Sequence, residues 1–207
     1  MIFPLPTPRA LLIGAGAVVV AGLLGAGGWY WHTVAARHAM AAYADAMTRA
    51  QPALGPQATA ETRAAGIREL ETALTQYPSG PGAAQVAYQL GNLRYEAQQY
   101  AQARGAWELA VAQGAPQTLR VLSLSGVAYA WEADRNYAKA IDAFKVALTG
   151  LGPKDFYYEE LLLGLGRAQE LAGQKADATA TYRRALSELT HSRRLEEIRA
   201  RLAALGA

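Results

Sequence analysis

Histidine and carboxylate side chains are the groups in this sequence best suited to bind a metal ion or to transfer protons. The three histidines are His32, His38 and His191. None of them stands in an HExxH pattern or another metal-ligand spacing. His32 and His38 are six residues apart and would point to different faces of a helix. The histidines therefore predict no metal site.

Adjacent carboxylates occur at Glu159-Glu160 and at Glu196-Glu197. Neighbouring side chains on a helix diverge by about 100°, so such a pair cannot share one reacting group. Both pairs are typical of a helix N-terminus or a solvated helix face. The sequence has no P-loop, no nucleophile elbow and no serine or threonine with a positioned histidine base. We expect a protein that is not an enzyme, has no cofactor and takes no small-molecule substrate.

Composition narrows the classes further. The chain has 207 residues, enough for one compact domain, and its lack of cysteine excludes disulfide frameworks, thiolate metal sites and thiol nucleophiles. Charged residues make up 18% of it, against about 25% in an ordinary soluble domain. Six arginines fall within residues 183–201, but glutamates are interleaved with them. An ion-paired, solvated surface is therefore expected there, and no nucleic-acid binding.

The apolar excess is concentrated near the N-terminus, where residues 10–31 carry no charge. As a helix rising about 1.5 Å per residue, this segment would be roughly 33 Å long and could cross a bilayer. Arg9 precedes it, and the Trp-Tyr-Trp cluster of residues 29–31 ends it, where aromatic rings favour the headgroup layer. We expect a tail at 1–9 and a transmembrane anchor at 10–31. A signal peptide cleaved near residues 25–27 is the alternative.

Orientation follows from the placement of the foldable sequence, because the positive charges flanking the segment are nearly balanced. Everything that can fold comes after the segment, so we expect the N-terminus inside and the domain outside. Small residues in the segment could let another helix approach closely, or could simply fill an apolar anchor. These are Ala17, Ala21, Gly22, Gly25 and Ala26.

A repeat of 37 to 38 residues runs through the rest of the chain. Large side chains recur at this interval, each with a small residue four positions before it and another three after it, and prolines close the units. The large residues are Leu70, Trp107, Phe144 and Tyr182. The spacing puts small, large and small residues on one helix face, and Pro/Gly clusters separate the units. Since no segment alternates with period two, the pattern predicts an all-α fold of stacked helix pairs.

This pattern resembles the tetratricopeptide repeat, a helix-turn-helix unit with small and aromatic residues at fixed positions and a closing proline. The resemblance covers residues 59–190. The best unit, residues 84–117, has these marked residues: Leu90, Gly91, Tyr95, Tyr100, Ala103, Trp107 and Ala110. In the later units Gly126 and Gly166 stand at the position of Gly91, with two extra residues between the helices of the middle unit. The period exceeds the family's usual length of about 34 residues.

The flanks complete the predicted α-solenoid. Residues 32–58 form a connecting helix and loop, and residues 191–207 a capping helix that covers the last apolar face. The degenerate unit around Leu70 supplies only the second helix of a pair. A stripe of residues on the connecting helix should pack against that helix. The stripe consists of Ala36, Met40, Tyr43 and Met47.

The overall layout is similar to that of the ancillary subunit family of the bacterial SecYEG translocon. Members of that family cross the inner membrane once, with the N-terminus inside and the repeats in the periplasm, and are implicated in handing translocated chains to periplasmic chaperones. The resemblance implies the same location for this chain. It also implies protein partners in a membrane complex or translocon.

In the tetratricopeptide family, ligand contacts come from the first helix of each pair and line a concave groove. The resemblance implies the following groove residues: Gln85, Tyr88, Asn92, Tyr95 and Glu96; Arg120, Ser123 and Trp131; and Glu160, Leu163, Arg167 and Glu170. This aromatic and polar lining suits peptides. Chaperone-binding members have lysine or arginine at the position of Tyr88. The tyrosine therefore argues that this chain does not bind the ligand of those members. Packing of Tyr88 and Tyr95 between repeats is an equally compatible reading.

Together these features predict a membrane-tethered protein–protein interaction module, an adaptor or scaffold that binds a peptide or partner protein in the repeat groove. One alternative is a non-catalytic structural or assembly subunit of a multi-subunit membrane protein complex, held by the small residues of its anchor. Another is a secreted soluble repeat protein. Leucine at Ala21 and Gly25 would separate the first two, since only an assembly subunit depends on that helix face.

Overall fold

The computed structural model describes the backbone of residues 8–207 and the side chains of residues 22–207. Within these residues the chain is all-helical, which confirms the prediction that the fold is all-α. The helices are α1 (Pro8–Ala50), α2 (Ala60–Gln76), α3 (Ala83–Glu96), α4 (Tyr100–Ala112), α5 (Gln117–Ala133), α6 (Tyr137–Leu148), α7 (Tyr158–Leu171), α8 (Lys175–Glu188) and α9 (Leu195–Leu205). A short 3-10 turn, Gln51–Leu54, joins α1 to α2.

Consecutive helices pack against each other in pairs. The C-terminal part of α1 pairs with α2, followed by α3 with α4, α5 with α6, and α7 with α8; each pair also packs against the next. In addition, α3 contacts α5, so the first helices of successive pairs are neighbours. This arrangement is compatible with an α-solenoid. Helix α9 packs on α8 and buries Ile198 and Leu202.

The periodic large residues form the core, as their spacing predicts. Leu70, Phe144 and Tyr182 are fully buried, and Trp107 is 4% exposed. The small residues before and after each of them are buried as well. Because those positions carry at most a methyl group, the helices cross closely and the large side chain fills the gap between them.

The middle pair has a different register from the one that the sequence suggested. A Cβ on Gly126 would lie 2.7 Å from the Trp107 ring, and a Cβ on Gly164 would lie 2.6 Å from the Phe144 ring. Gly126 is therefore equivalent to Gly164, and the prediction that it corresponds to Gly91 is wrong. The turns between α3 and α4 and between α5 and α6 are both three residues long. The middle pair therefore has no extra residues, and Ala128, which follows Gly91 by 37 residues and is fully buried, takes the place of Gly91.

The C-terminal part of α1 supplies the missing first helix of the degenerate unit. Helix α1 ends at Ala50, just before Gln51-Pro52. Its packed face consists of small residues and one tyrosine: Ala39, Tyr43, Ala46 and Ala50. The predicted stripe shares Tyr43 with this face, and Met47 packs against it, but Met40 is 53% exposed. The alanines allow a closer helix crossing than methionine would, and they fix the face that packs.

The first part of α1 contains the predicted membrane anchor. Among the residues that the structure describes, no helix is long and apolar enough to cross a bilayer. Ala17 and Ala21 lie outside the residues with described side chains, so the anchor at 10–31 remains a prediction. The remaining small residues of the segment, Gly22, Gly25 and Ala26, are exposed. The large exposed side chains nearby are Leu23, Leu24, Trp29, Tyr30 and Trp31.

The turn inside each of the last three pairs contains a residue at positive φ. These residues are Gln98 at 60°, Arg135 at 59° and Gly173 at 75°. At the last turn, the Gly173 N–H donates to the Glu170 carbonyl at 2.9 Å, and the next N–H donates to the Gln169 carbonyl at 2.9 Å. This is the Schellman pattern, which satisfies the last carbonyls of a helix.

Alanine at Gly173 should lower the free energy of unfolding by about 1 kcal/mol, because a β-carbon is disfavoured at positive φ. The matched variant Gln98→Gly relieves the same strain at the equivalent turn and should cost nothing. Urea denaturation followed by circular dichroism measures both values. Equal losses for the two variants would contradict the argument.

Candidate functional site

A groove runs along the exposed side of α3 and α5, the first helices of two successive pairs. It consists of three cavities. One of about 550 Å³ lies between the N-terminal ends of α3 and α5, and one of about 490 Å³ lies between α3 and the turn after α1. A third, of about 190 Å³, lies between them. Leu122 lines the first and third cavities, and Tyr95 lines the second and third, so neighbouring cavities adjoin; the three together are named the α3–α5 groove.

The smallest cavity is lined mainly by aromatic rings. They belong to Tyr88, Tyr95, Trp107, Tyr129 and Tyr157. Trp107 forms the buried base, while the four tyrosines are partly exposed. Tyr95 lies 5.8 Å from Trp107, and Tyr129 meets Phe144 edge-to-face at 5.2 Å between ring centres. Packing thus holds the rings while part of each tyrosine faces the groove.

One amide at the base of the groove is held by two hydrogen bonds. The Trp107 Nε1–H donates to Asn92 Oδ1 at 3.2 Å, and Asn92 Nδ2 donates to Gln89 Oε1 at 3.1 Å. These bonds fix the orientation of Asn92. The groove therefore offers aromatic faces together with an oriented amide, a combination that suits an extended peptide.

The structure brings the five predicted residues of α3 together. Gln85 lines the first cavity, Tyr88 the third, and Asn92 and Tyr95 both the second and the third. Glu96 lines the second cavity. The α3 residues therefore have the shared placement that a binding role requires.

The predicted residues of α5 do not join them. Arg120 is exposed, whereas Ser123 is fully buried. Trp131 lies between two cations on the side of α4 and α6, with the Arg104 guanidinium carbon 3.6 Å and Lys139 Nζ 4.3 Å from its ring centre. The predicted positions on α5 were counted from Gly126 in place of Ala128, so they are two residues too early.

Residues two positions further along α5 take these places. Leu122, Ser125 and Tyr129 line the groove, and Glu132 forms an ion pair with Arg167 of α7 at 3.0 Å. Sequence reasoning missed all four, because it took Gly126 as the equivalent of Gly91. The signal that could have found them is the repeat interval, since each of the four follows a groove position of α3 by 37 residues.

The predicted residues of α7 are engaged within the protein. Tyr129 donates to Glu160 Oε1 at 2.6 Å, and Arg194 donates to Glu160 Oε2 at 2.7 Å. Burial and the hydrogen bond to Glu160 raise the pKa of Tyr129, so it stays a neutral donor. Arg167 pairs with Glu132. These bonds tie α7 to α5 on one side and to the segment before α9 on the other.

The far end of α7 is tied down in the same way. Arg201 of α9 contacts Glu170 Oε2 at 3.3 Å, and Leu163 is buried. Ion pairs or hydrogen bonds thus link α5 to α7 and α7 to α9, whereas in the part of the chain with described side chains no ion pair links α3 to α5. The open part of the groove is therefore the aromatic stretch between α3 and α5.

Tyr158 at the start of α7 should make stability depend on alkaline pH. Burial, together with its hydrogen bond to Glu188, raises the pKa of Tyr158 from 10.0 to about 12. The folded state favours the neutral phenol, so its contribution is complete below about pH 10 and is lost as the pH rises toward about 12. Tyr158→Phe should flatten this fall when urea denaturation is compared at about pH 9 and about pH 11. The same loss of stability between the two pH values in the variant and in the native chain would contradict this prediction.

Residues suited to metal binding are not clustered in the described part of the chain, where no group of three His, Asp or Glu side chains could hold an ion. No known protein family matches the chain. No curated protein is found to resemble it.

Proposed function

We propose that this protein is a membrane-tethered interaction module, an adaptor or scaffold that binds a peptide or partner protein in the α3–α5 groove. The observation that carries the proposal is the aromatic cavity of about 190 Å³ between α3 and α5, with the fixed Asn92 amide beside it. Aromatic side chains give large contact area at low entropic cost, which is why they dominate binding surfaces. In this proposal the groove binds its partner and catalyses no reaction.

The helix pairs act as tetratricopeptide-like units in the same proposal. Support comes from the repeated large residue packed against a glycine of a neighbouring helix, as in Trp107 against Gly91 and Tyr182 against Gly166. Helix α9 acts as the cap, since it buries Ile198 and Leu202 while Arg199 is exposed. A solenoid needs such a terminal element to remain soluble.

The tether is the N-terminal part of α1, placed in a bacterial inner membrane with the repeats in the periplasm. Support comes from the exposed Trp29, Tyr30 and Trp31 and from the continuity of α1 into the fold. Aromatic rings of this kind favour the headgroup layer. Anchoring raises the local concentration near membrane partners, so weak groove contacts suffice. Translocon subunits and translocated chains are the partners that we propose.

Extraction of native membranes in mild detergent, affinity purification on a C-terminal tag and mass spectrometry test this function. The groove variant combines Tyr88→Ser with Leu122→Gln, and Val146→Gln on α6 is the matched control, since Val146 is an exposed apolar residue outside the groove. Translocon subunits or exported chains should co-purify in substoichiometric amounts with the control and be lost from the groove variant. The same set from both would contradict the proposal.

An assembly subunit of a larger membrane complex is the second candidate. It is favoured by the exposed small face of α1, where a Cβ on Gly22 or Gly25 would meet nothing within 4 Å. In that case Ala21→Leu with Gly25→Leu should release a fixed-stoichiometry set of membrane proteins, whereas the groove variant should keep it. The adaptor predicts the opposite pattern.

A further inference from the structure

The first turn between helix pairs lies at the end of the fold where α1 enters it. The Tyr43 hydroxyl, on α1, donates to the carbonyl oxygen of Tyr77. A Cβ on Gly80 would lie 3.3 Å from the Ala39 side chain. The turn at residues 77–82 is therefore level with Ala39 along the axis of α1.

The next turn between pairs lies beside the first. Gln113 Nε2 donates to the Pro78 carbonyl at 3.0 Å, which joins the turn after α4 to the turn after α2. Residues 77–82 and 113–118 are together named the proximal turns. They also line the first cavity of the α3–α5 groove, of about 550 Å³.

The proximal turns are close to the proposed membrane boundary. Ala39 follows Trp31 by eight residues in an unbroken helix, a distance of about 12 Å along its axis. Headgroups extend about 5–8 Å beyond each side of the hydrocarbon core. With Trp31 at the edge of that core, the remaining gap is only a few ångströms, within reach of an arginine side chain whose charged end extends to the lipid.

The charges of the proximal turns and of the adjoining part of α1 complement a phospholipid surface. Carboxylates are absent from residues 32–44, 72–95 and 109–131, which include the proximal turns and the part of α1 beside them. Of the three arginines in these segments, Arg37 and Arg120 are exposed, whereas Arg94 lies at the opposite end of α3 and pairs with Glu71. Basic residues near a membrane surface are attracted to anionic lipids, each by about 1 kcal/mol.

We propose that the proximal turns rest on the phospholipid headgroups beside the anchor, with Arg37 and Arg120 bound to lipid phosphates. The inference depends on the proposed insertion of α1 in the membrane. It places the mouth of the α3–α5 groove, which the proximal turns line, at the membrane surface. A chain leaving a membrane channel would meet the groove there.

Site-specific fluorescence tests this orientation, because the chain has no cysteine. Single-cysteine variants of the full chain carry one fluorophore each: Ser79→Cys and Thr118→Cys on the proximal turns, Gln99→Cys at the opposite end of α3, and Ala35→Cys beside the anchor. Each is reconstituted in vesicles of phosphatidylcholine and phosphatidylglycerol that contain a lipid spin-labelled at its headgroup. All four positions are exposed.

The labels at Ser79 and Thr118 should lose most of their fluorescence, as should the label at Ala35, while the label at Gln99 keeps it. Arg37→Gln combined with Arg120→Gln, or omission of phosphatidylglycerol, should restore fluorescence at Thr118. A quenched label at Ala35 with bright labels at Ser79 and Thr118 would overturn this inference alone. A bright label at Ala35 would overturn the membrane anchor and the inference together.

Discussion

Alanine at Trp107 should lower the free energy of unfolding by about 3–5 kcal/mol, the cost of emptying a well-packed aromatic site. Trp107 is 4% exposed and fills the space between two glycines, Gly91 of α3 and Gly126 of α5. Both glycines lack the side chain that could move into the vacated volume, so the cavity stays open. Urea denaturation of the full chain in detergent, followed by circular dichroism, measures the change.

Phe156→Ala is the control for this substitution. Phe156 is 60% exposed, and its loss should change stability by less than about 0.5 kcal/mol, as is usual for a surface position. A change for Trp107→Ala as small as that of the control would mean that the indole does not fill the gap between the two pairs. The conclusion that α3, α4 and α5 pack closely around this side chain would then be wrong.

Glutamine at Leu122 should weaken binding of the partner segment in the groove about tenfold or more, which corresponds to about 1.4 kcal/mol. Leu122 lines two of the three cavities, so its substitution puts a polar group where apolar contact is expected. Residues at the centre of a binding surface commonly cost more than this when they are removed. Fluorescence anisotropy of a labelled peptide from the co-purified partner measures the affinity.

Val146→Gln is the matched control for the binding measurement. It makes the same apolar-to-polar change on α6, where the side chain is 52% exposed. Both variants should unfold near the same urea concentration as the native chain, so that a loss of affinity reports contact and not unfolding. Equal affinities of the two variants for the peptide would remove Leu122 from the binding surface.

The core could be predicted from the sequence because each core position repeats. Leu70, Trp107, Phe144 and Tyr182 share a spacing, and one helical face is enough to bury them all. The register of α5 was predicted wrongly because Gly126 was taken as the equivalent of Gly91. The interval of 37 residues leads from Gly91 to Ala128 instead, and Gly126 contacts Trp107 of the preceding pair.

The residues of the candidate site could be predicted only on helices whose positions were matched correctly to those of the other repeats. The five residues of α3 face the groove together, but Tyr157 joins the aromatic cavity from the N-cap of α7, where its φ is 70°. A spacing rule for first helices cannot find a residue that precedes the helix. The partners of Glu160 and Glu170 were also hidden, because Arg194 and Arg201 come from around α9, far along the chain.

Photocrosslinking in intact membranes tests the groove most directly. A benzophenone amino acid at Tyr88 places the reactive group in the aromatic cavity. The same amino acid at Val146, an exposed position outside the groove, is the control. Irradiation should give adducts of discrete mass from position 88 and none of these from position 146. No adduct from position 88, or the same adducts from both positions, would contradict the proposal that the α3–α5 groove binds a protein partner.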